Sequence, residues 1–510
     1  MKKNLILIIL IIMTVLVGIY SFNRTRAVKV TGEMVTEISS TRRYSDAYDI
    51  YKNNIFDYEI PITKDMKIDE SLPNIRTRLY NDEVDVDIFF DNLKDKQINF
   101  GTYTSYGNKF LNDEKYHKLL EDKYIEIDGY KAHVLSYTRD KLLHVENDKN
   151  YYYSVEINVD DKMVYTIFVK SANPISDQIK KMINSFKIGG NIKNYNLPDK
   201  TFKQIQPNVN EQTLALYNQY FINSNQLTWG IFEANAPKKF ENVEAIEKAI
   251  DYDFKFLIRY QSLNETLPKE EIIQATQRGK AVELSLQTMA TVSGEVDIYE
   301  ILNGKYDEYL VKYAQDIKET NVPILFRLNN EMNGDWCGYC AFHFAKDTDL
   351  YKEVWKYIYK IFEENGVDNV LWLWNANHKS FPNFGWNDQL LYYPGDEYVD
   401  IVGLTAYNTG NYYPGENWNS FEELYDSYYK EYDRLFEKPL MITEFGSNLV
   451  GGDKVAWVKD MFNKIKEYTN IKVAIWWSHI DYDTDGREAR VYKIDRPAEV
   501  LNVFKENINL

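Results

Sequence analysis

Eight short runs of apolar, β-prone residues recur along the C-terminal part of the chain. They begin near Trp229, Phe254, Ala281, Pro323, Asn369, Val399, Pro439 and Lys472. Their starts are 25 to 46 residues apart, which leaves room for a helix after each run, and helical periodicity does occur at 351–362 and 456–468. Strands that are apolar throughout and alternate with helices predict a parallel sheet. Eight such units predict a (β/α)8 barrel, an α/β fold of the TIM type, over residues 228–510.

A different pattern occupies residues 30–190. Tyr151 to Val159 and Met163 to Lys170 alternate around Asp160-Asp161, which is typical of a β-hairpin. A short amphipathic helix follows, with apolar residues at i, i+3, i+4 and i+7: Ile179, Met182, Ile183 and Phe186. All ten tryptophans lie at Trp229 or later, and this shift in composition separates two modules. We therefore expect a small α+β domain at 30–190, joined to the barrel by a linker at 191–227.

The first 26 residues have a third pattern. An apolar stretch of 18 residues, Leu5 to Phe22, lies between Met1-Lys-Lys-Asn and Asn23-Arg-Thr-Arg26. A helix of that length rises about 27 Å, close to the thickness of a bilayer's hydrocarbon core. No small-x-small cleavage site follows it. We expect residues 1–26 to be an uncleaved signal anchor that holds the protein in the cell membrane by a single pass, with the C-terminal barrel outside the cell. A cleaved secretion signal is the alternative.

Composition narrows the choice of partners. The chain has 510 residues and a net charge of −17, which argues against nucleic acid or anionic lipid as a main partner. The apolar fraction of 44% and the charged fraction of 27% are ordinary for a folded protein. The sequence does not indicate an oligomeric state.

Two glutamates each follow a predicted barrel strand. Glu331 lies in Arg327-Leu-Asn-Asn-Glu-Met-Asn-Gly-Asp-Trp336, just past an apolar run, and Glu444 follows Pro439-Leu-Met-Ile-Thr. In the predicted barrel they end strands four and seven, at the face where such barrels carry their chemistry. Two carboxylates placed in this way can cleave a glycosidic bond. The alternative is that both glutamates are surface charges at strand ends.

Three ordered motifs resemble glycoside hydrolase family 26. They are Asn330–Trp336, Tyr393–Gly403 and Lys438–Gly446, and the resemblance extends over about residues 228–505. It implies an endo-acting, retaining hydrolase that cleaves a β-linked polysaccharide by double displacement, most often β-1,4-mannan. By this resemblance Glu331 is the general acid/base and Glu444 is the nucleophile. The histidines are scattered without metal-ligand spacing, and no phosphate-cradling Gly-rich loop is apparent, so we expect neither a metal nor a cofactor.

Asn330 departs from the family's usual motif. Many relatives carry His directly before the acid/base, whereas this chain carries Asn330. In the wider clan an Asn at this place hydrogen-bonds the sugar's 2-hydroxyl, which is axial in mannose and equatorial in glucose. The substitution leaves the expected reaction class intact. It makes a β-1,4- or β-1,3-1,4-glucan endoglucanase the alternative to a mannanase.

Aromatic residues near the strand ends are candidates for binding the sugar. Trp336 matches a family position that lines the sugar site, and Tyr407 is expected to hydrogen-bond the nucleophile, as a strand-six Tyr does in relatives. Trp374 lies near the mouth end of strand five. Trp476 and Trp477 point in opposite directions from strand eight, so one should face the mouth and the other should pack outward. Core packing for Trp374 and an ordinary loop position for Tyr407 are the alternatives.

Two cysteines lie in the same loop as Glu331. Trp336-Cys-Gly-Tyr-Cys340 resembles the redox site of thioredoxins, so a membrane-tethered thiol oxidoreductase is a second hypothesis. The neighbouring Asn-Glu motif favours instead a local disulfide or two packed thiols.

The segment Asp481-Tyr-Asp-Thr-Asp-Gly486 imitates the start of a calcium-binding loop. Its twelfth position is Tyr492 rather than the bidentate Glu that such loops require. We therefore expect a polar loop at the rim of the active face, and no metal site.

A non-catalytic glycan-binding surface protein, built on the same barrel, is the alternative of another class. The presence of both carboxylates and of the aromatic residues favours an enzyme over this alternative.

Overall fold

The computed structural model describes residues 28–289 and 296–509. The chain divides into two compact units, the first running to Lys141 and from Glu146 to Leu197, the second comprising Leu142–Val145 and the chain from Pro198 onward. The anchor predicted at residues 1–26 lies outside the described residues. Within the described ranges, no helix is both long enough and apolar enough to cross a membrane.

The first unit is built from β-sheets and short helices. Its strands are β1 (Lys29–Met34), β2 (Ser39–Arg43), β3 (Tyr48–Asn53), β4 (Tyr58–Thr63), β5 (Lys67–Asp69), β6 (Thr77–Tyr80), β7 (Val84–Asn92), β8 (Lys118–Ile127), β9 (Tyr130–Thr138), β10 (Tyr151–Val159), β11 (Met163–Ser171), β12 (Lys187–Ile188) and β13 (Asn191–Asn194). Its helices are α1 (Phe100–Gly107) and α2 (Asp177–Asn184), with a 3₁₀ turn at Lys109–Asn112. The largest sheet is antiparallel, in the order β5-β6-β7-β11-β10-β9-β8, and a smaller one has the order β12-β4-β3-β2.

The hairpin and the amphipathic helix predicted in this unit are confirmed. β10 and β11 pair from Val159–Met163 to Tyr151–Ser171. The apolar face of α2 is buried in a core that also includes Val155 and Ile167 of the large sheet and Ile60 of the small sheet. The two sheets and α2 thus share one apolar core.

The second unit contains a closed barrel of eight parallel strands. They are β14 (Thr228–Glu233), β15 (Phe256–Ser262), β16 (Ala281–Gln287), β17 (Ile324–Leu328), β18 (Val370–Asn377), β19 (Ile401–Asn408), β20 (Leu440–Ser447) and β21 (Ile471–Ser478). Each strand begins within two residues of its predicted start. The predicted (β/α)8 barrel is therefore confirmed.

Helix α3 (Glu211–Tyr217) precedes the first barrel strand, and α11 (Glu499–Asn507) follows the last. The helices between barrel strands are α4 (Glu241–Ile250), α5 (Lys269–Gln277), α6 (Asp297–Leu302), α7 (Asp307–Thr320), α8 (Thr348–Glu364), α9 (Phe421–Leu435) and α10 (Lys454–Ile465). Between β18 and β19 the connection is made by 3₁₀ turns at Gly385–Asn387, Gln389–Tyr392 and Asp396–Tyr398. A hairpin of β22 (Ile480–Tyr482) and β23 (Glu488–Val491) follows the last barrel strand.

The linker predicted at 191–227 is only partly a linker. β13 pairs with β1 and buries Ile192. Tyr217 ends α3, and Phe221 lies in the π-helical turn Asn218–Ile222. Both are buried in the apolar cluster that includes Phe256, at the N-terminal end of the barrel. This segment therefore closes the floor of the barrel. The prediction was wrong here because isolated apolar anchors among polar residues give no regular period.

Candidate active site

Glu331 and Glu444 both lie at the C-terminal end of the barrel. Glu444 belongs to the last half of β20, and Glu331 follows β17 in a turn whose residues Asn329 and Glu331 have φ values of 54° and 55°. A positive φ is uncommon outside glycine and is found where a site constrains the backbone. Hydrogen bonds hold the turn, with Glu331 N donating to Asn375 O at 3.0 Å and Gly334 N donating to Glu331 O at 2.9 Å.

Asn377 donates a hydrogen bond to the Glu331 carboxyl, with Nδ2 2.5 Å from Oε1. The Trp336 indole lies close enough to lower the pKa of Glu331. Burial raises the pKa of Glu331 and the charge of Asp481 adds to this rise, while Asn377, Arg327 and Trp336 oppose it. The balance is an upward shift, as a general acid requires.

The amide of Asn377 is held in one orientation. Its Oδ1 accepts from His378 Nδ1 at 3.0 Å and from Lys379 N at 3.2 Å. Its backbone N donates to Asn333 Oδ1 at 2.9 Å. These contacts turn Nδ2, the donor end of the amide, toward Glu331.

Glu444 is buried and has different partners. The Tyr260 hydroxyl donates to Glu444 Oε2, and the Arg327 guanidinium Nη1 lies 3.5 Å from Oε1. Burial raises the pKa of Glu444 to about 8, and the charge of Asp481 adds to that rise. Both carboxyls of the pair therefore resist ionisation.

The contacts of the two carboxyls differ. Arg327 and Tyr260 contact Glu444 directly, and a cation and a hydroxyl donor both favour a carboxylate anion. The charge of Arg327 also lowers the pKa of Glu331, with which it makes no ion pair among the described contacts.

Asn330, directly before Glu331, is fixed by its carbonyl end. Its Oδ1 accepts from Gln287 Nε2 at 3.1 Å and from the Tyr339 hydroxyl at 3.3 Å. No residue in the described ranges accepts a hydrogen bond from its Nδ2. The amide donor is thus available to a ligand, as expected of a residue that binds a sugar hydroxyl.

The structure separates the two tryptophans of strand eight. Trp477 shares the inner face of β21 with Val473 and Ile475 of the interior cluster. Its ring stacks on Phe232 at a centroid distance of 5.3 Å. Trp476 is fully buried on the outer face and donates its Nε1 hydrogen to Tyr492 O at 2.8 Å. Trp477 is therefore at the mouth, and the expectation of sugar binding does not hold for Trp476.

Trp374 is also outside the site, and the prediction for it was wrong. Leu371 and Leu373 belong to the interior cluster, so alternation along β18 turns Trp374 outward. It is fully buried and stacks on Tyr432 of α9 at 6.2 Å. The prediction relied on the position of Trp374 near the strand end. Whether a side chain reaches the site also depends on which face of the sheet it points from.

Trp336 stands at the edge of the mouth. It is 50% exposed, beside Phe381, which is 44% exposed. The two ring centroids are 5.3 Å apart. This exposed pair adjoins Glu331, and Phe381 was not among the predicted site residues.

Tyr407 does not hydrogen-bond the nucleophile in this structure. Its ring lies 6.0 Å from Trp477 and 5.0 Å from Tyr492, at the mouth. The hydroxyl that donates to Glu444 belongs to Tyr260 on β15. Tyr260 shares the inward face of its strand with Ile258, and this alternation was the signal that could have identified it.

The two cysteines are free and buried rather than bridged. Burial raises the pKa of Cys340 to about 12 and that of Cys337 well above its usual value. Redox-active cysteines have lowered pKa values, so the environment opposes thiol chemistry. Of the two structural readings, packed thiols are confirmed.

The calcium-like segment forms the β22–β23 hairpin. Asp483 accepts hydrogen bonds from Asp485 N at 2.9 Å, from Arg487 N at 2.8 Å and from the Tyr412 hydroxyl at 2.5 Å. Across 28–289 and 296–509, no group of His, Cys, Asp and Glu side chains is arranged to hold a metal ion. Asp481, at the base of the hairpin, is the third acidic residue near the pair.

Acidic side chains at the ends of strands four and seven of a (β/α)8 barrel, beside an exposed aromatic pair, define the class of barrel-fold glycoside hydrolases. Residues 275–439 match the model of glycosyl hydrolase family 26. The matched segment lies within the barrel, between α5 and the start of β20, and supports a relationship to this family.

Curated relatives carry different names. Endoglucanase H of Acetivibrio thermocellus is 32% identical over 217 residues, which are 42% of this chain and 23% of that protein. A mannan endo-1,4-beta-mannosidase of Bacillus subtilis is 37% identical over 121 residues, 22% of this chain and 32% of that protein. Another, from Bacillus subtilis strain 168, is 32% identical over 146 residues, 27% and 34% of the two chains. The matched part thus spans a quarter to a third of these relatives.

Among solved structures, the catalytic domain of a Bacillus sp. JAMB-750 GH26 endo-beta-1,4-mannanase is 19% identical. It has a TM-score of 0.47 and covers 61% of this chain and 92% of that one.

Proposed function

We propose that this protein is an endo-acting, retaining glycoside hydrolase of β-linked polysaccharides. The observation that carries the proposal is the unequal environment of the two carboxyls. Glu444 contacts a cation and a hydroxyl donor, whereas Glu331 contacts neutral donors beside an exposed aromatic surface. A nucleophile and an acid need these different surroundings.

The proposed reaction has two displacements. Glu444 attacks the anomeric carbon while the bond to the leaving oxygen breaks, and Glu331 gives its proton to that oxygen. The ester that forms has no charge on Glu444, so Glu331 can now act as a base. Glu331 takes a proton from water, the water oxygen attacks the anomeric carbon, and Glu444 leaves as a carboxylate.

We propose β-1,4-mannan as the first substrate. The names of the two Bacillus relatives support it. A β-glucan is the second candidate, because Asn330 replaces the family's usual His and the relative from Acetivibrio thermocellus is named an endoglucanase. The donor that Asn330 presents could serve either 2-hydroxyl.

A panel of polysaccharides tests the reaction and its specificity together. We expect reducing ends to appear from mannan or a β-glucan, and the Glu444→Ala and Glu331→Ala variants to lose this activity. Glu364→Ala, on the exposed face of α8, is the matched control and should remain active. A protein that retained the polymer on a column without cutting it would instead be a binding protein.

The stereochemistry of the first product tests the mechanism. Double displacement gives a β-configured product from a β-linked chain, which NMR detects before mutarotation. Predominantly α product at early times would contradict Glu444 as a nucleophile.

A further inference from the structure

Polar side chains lie inside the barrel below the two catalytic carboxyls. All of them are fully buried: Glu283, Ser285, Arg327, Asn375, Thr405 and Thr443. A barrel interior is ordinarily filled by branched apolar side chains. This polar layer therefore needs a physical reason.

Arg327 connects this layer to the nucleophile. Its Nε lies 2.8 Å from Glu283 Oε1, and its Nη1 lies 3.5 Å from Glu444 Oε1. Nε also donates to Ser285 Oγ at 2.6 Å, and Nη1 donates to Asn375 Oδ1 at 3.2 Å. One buried guanidinium is thus shared between two buried carboxyls.

Glu283 is costly to bury at this position. Among the described residues, none donates a hydrogen bond to either of its carboxylate oxygens, and the ion pair with Arg327 is the contact that balances its charge. Burial raises the pKa of Glu283 to about 7 although Arg327 opposes the shift. Replacing a whole buried ion pair by well-packed apolar residues is often neutral or stabilising, so stability alone does not account for the pair of Glu283 and Arg327.

We propose that Glu283 is a positioning residue for the nucleophile, which divides the Arg327 charge between two carboxyls so that Glu444 is not fully paired and stays reactive. This rests on the proposed glycoside hydrolase function. Without Glu283, the guanidinium would pair with Glu444 alone and stabilise its carboxylate, making it a weaker nucleophile.

The same arrangement acts in the covalent intermediate. Once Glu444 is bonded to the anomeric carbon it no longer carries a charge, and Arg327 would be a buried cation facing an ester. Glu283 remains 2.8 Å from the guanidinium and balances it. No unpaired charge is then created inside the barrel during the reaction.

Other titratable groups also face Glu444. Tyr260 of β15 donates to it, and Asp481 beyond β21 raises its pKa. The charge of Arg327 also lowers the pKa of Glu331, which follows β17. None of these touches Glu283, so a change at Glu283 reaches Glu444 through Arg327.

The test is the pH dependence of kcat/KM in Glu283→Gln, a substitution that keeps the side chain's shape. The nucleophile must be ionised, so activity falls as the pH drops through the pKa of Glu444. Releasing Arg327 to pair with Glu444 lowers that pKa, and the acidic limb should move down by about one pH unit. The maximal rate should fall at the same time.

Asp400→Asn is the matched control. Asp400 lies just before β19, at the opposite end of the barrel, and burial raises its pKa to about 6. Loss of this acid should leave the acidic limb in place. An unshifted limb in a folded Glu283→Gln variant, or equal shifts in both variants, would overturn the inference. A wild-type protein that cut no glycan would instead overturn the proposed function.

Discussion

Asn377 makes the hydrogen bond that acts most directly on the Glu331 carboxyl. It donates to Glu331 Oε1 from an amide that His378 and Lys379 hold in place. Its hydrogen bond lowers the pKa of Glu331 against the effect of burial. In the proposed mechanism Glu331 must be protonated to act as the acid, so this contact helps to set the pH above which activity declines.

We expect the Asn377→Ala variant to keep its activity to higher pH. Loss of the donor raises the pKa of Glu331, so the basic limb of kcat/KM should move up by about one pH unit. Asn369→Ala is the control, because Asn369 is a buried amide at the other end of the same strand and donates to Ile317 O and Val322 O. A basic limb that stays in place, or moves down, would contradict the role given to Asn377.

At the scale of elements, two loops form an exposed aromatic surface beside the acid. Trp336 comes from the loop after β17 and Phe381 from the loop after β18. Phe381 N donates to Asn333 O at 2.8 Å, so the exposed ring stands on a fixed backbone. Because Trp336 adjoins Glu331, the proposed acid, we infer that this surface binds the leaving side of the substrate.

Phe381→Ala should weaken hydrolysis of long substrates selectively. Loss of one ring face is worth about 0.5–1.5 kcal/mol, which is roughly 2- to 12-fold in kcat/KM for a polysaccharide. An aryl glycoside with no sugar on the leaving side should be cut at the parental rate. Tyr44→Ala, at a 65% exposed position in the first unit, is the control. Equal losses on both substrates would show a general defect instead.

The floor of the barrel offers a second test at this scale. Phe221 is 1% exposed and lies against Phe256, whereas its neighbour Ile222 is 46% exposed. Phe221→Ala should lower the free energy of unfolding by about 3–5 kcal/mol. Ile222→Ala should change it by less than about 0.5 kcal/mol. Urea denaturation of both variants measures the difference, and similar values would mean that the segment is not part of the core.

At the scale of the whole molecule, the two units each have an apolar core of their own. Net charge of −17 disfavours binding to anionic surfaces and nucleic acid. An anchor formed by the apolar segment at residues 5–22 would expose the barrel to polysaccharides outside the cell. We propose that this segment anchors the protein in the cell membrane with both units outside.

Fractionation tests the anchor. The full chain should stay with membranes after extraction at alkaline pH, and a variant that lacks residues 1–26 should be released. Protease added to intact cells should degrade the barrel of the full chain. Release of the full chain by alkaline carbonate alone would contradict a spanning helix.

Much of the fold follows from short-range patterns. Recurring apolar runs separated by room for a helix predicted all eight barrel strands. Alternation of apolar and polar residues with a period of two predicted the β10–β11 hairpin. Position at a strand end also led to Glu331 and Glu444, because the end of a parallel strand always meets the same face of a barrel. These inferences need only the order of residue types along the chain.

Other parts of the site depend on which side of each strand closes inward. A large apolar ring suits either side of a barrel strand, so nothing local distinguishes Trp374 or Trp476, which pack under helices, from Trp477, which faces the mouth. Tyr260 contacts Glu444 although the two residues are 184 positions apart in the chain. Glu283 contacts Arg327 from the neighbouring strand of the barrel. The chain order therefore suffices for the barrel and its two carboxyls. The partners that set their charge are brought together by closure of the sheet, which no local period encodes.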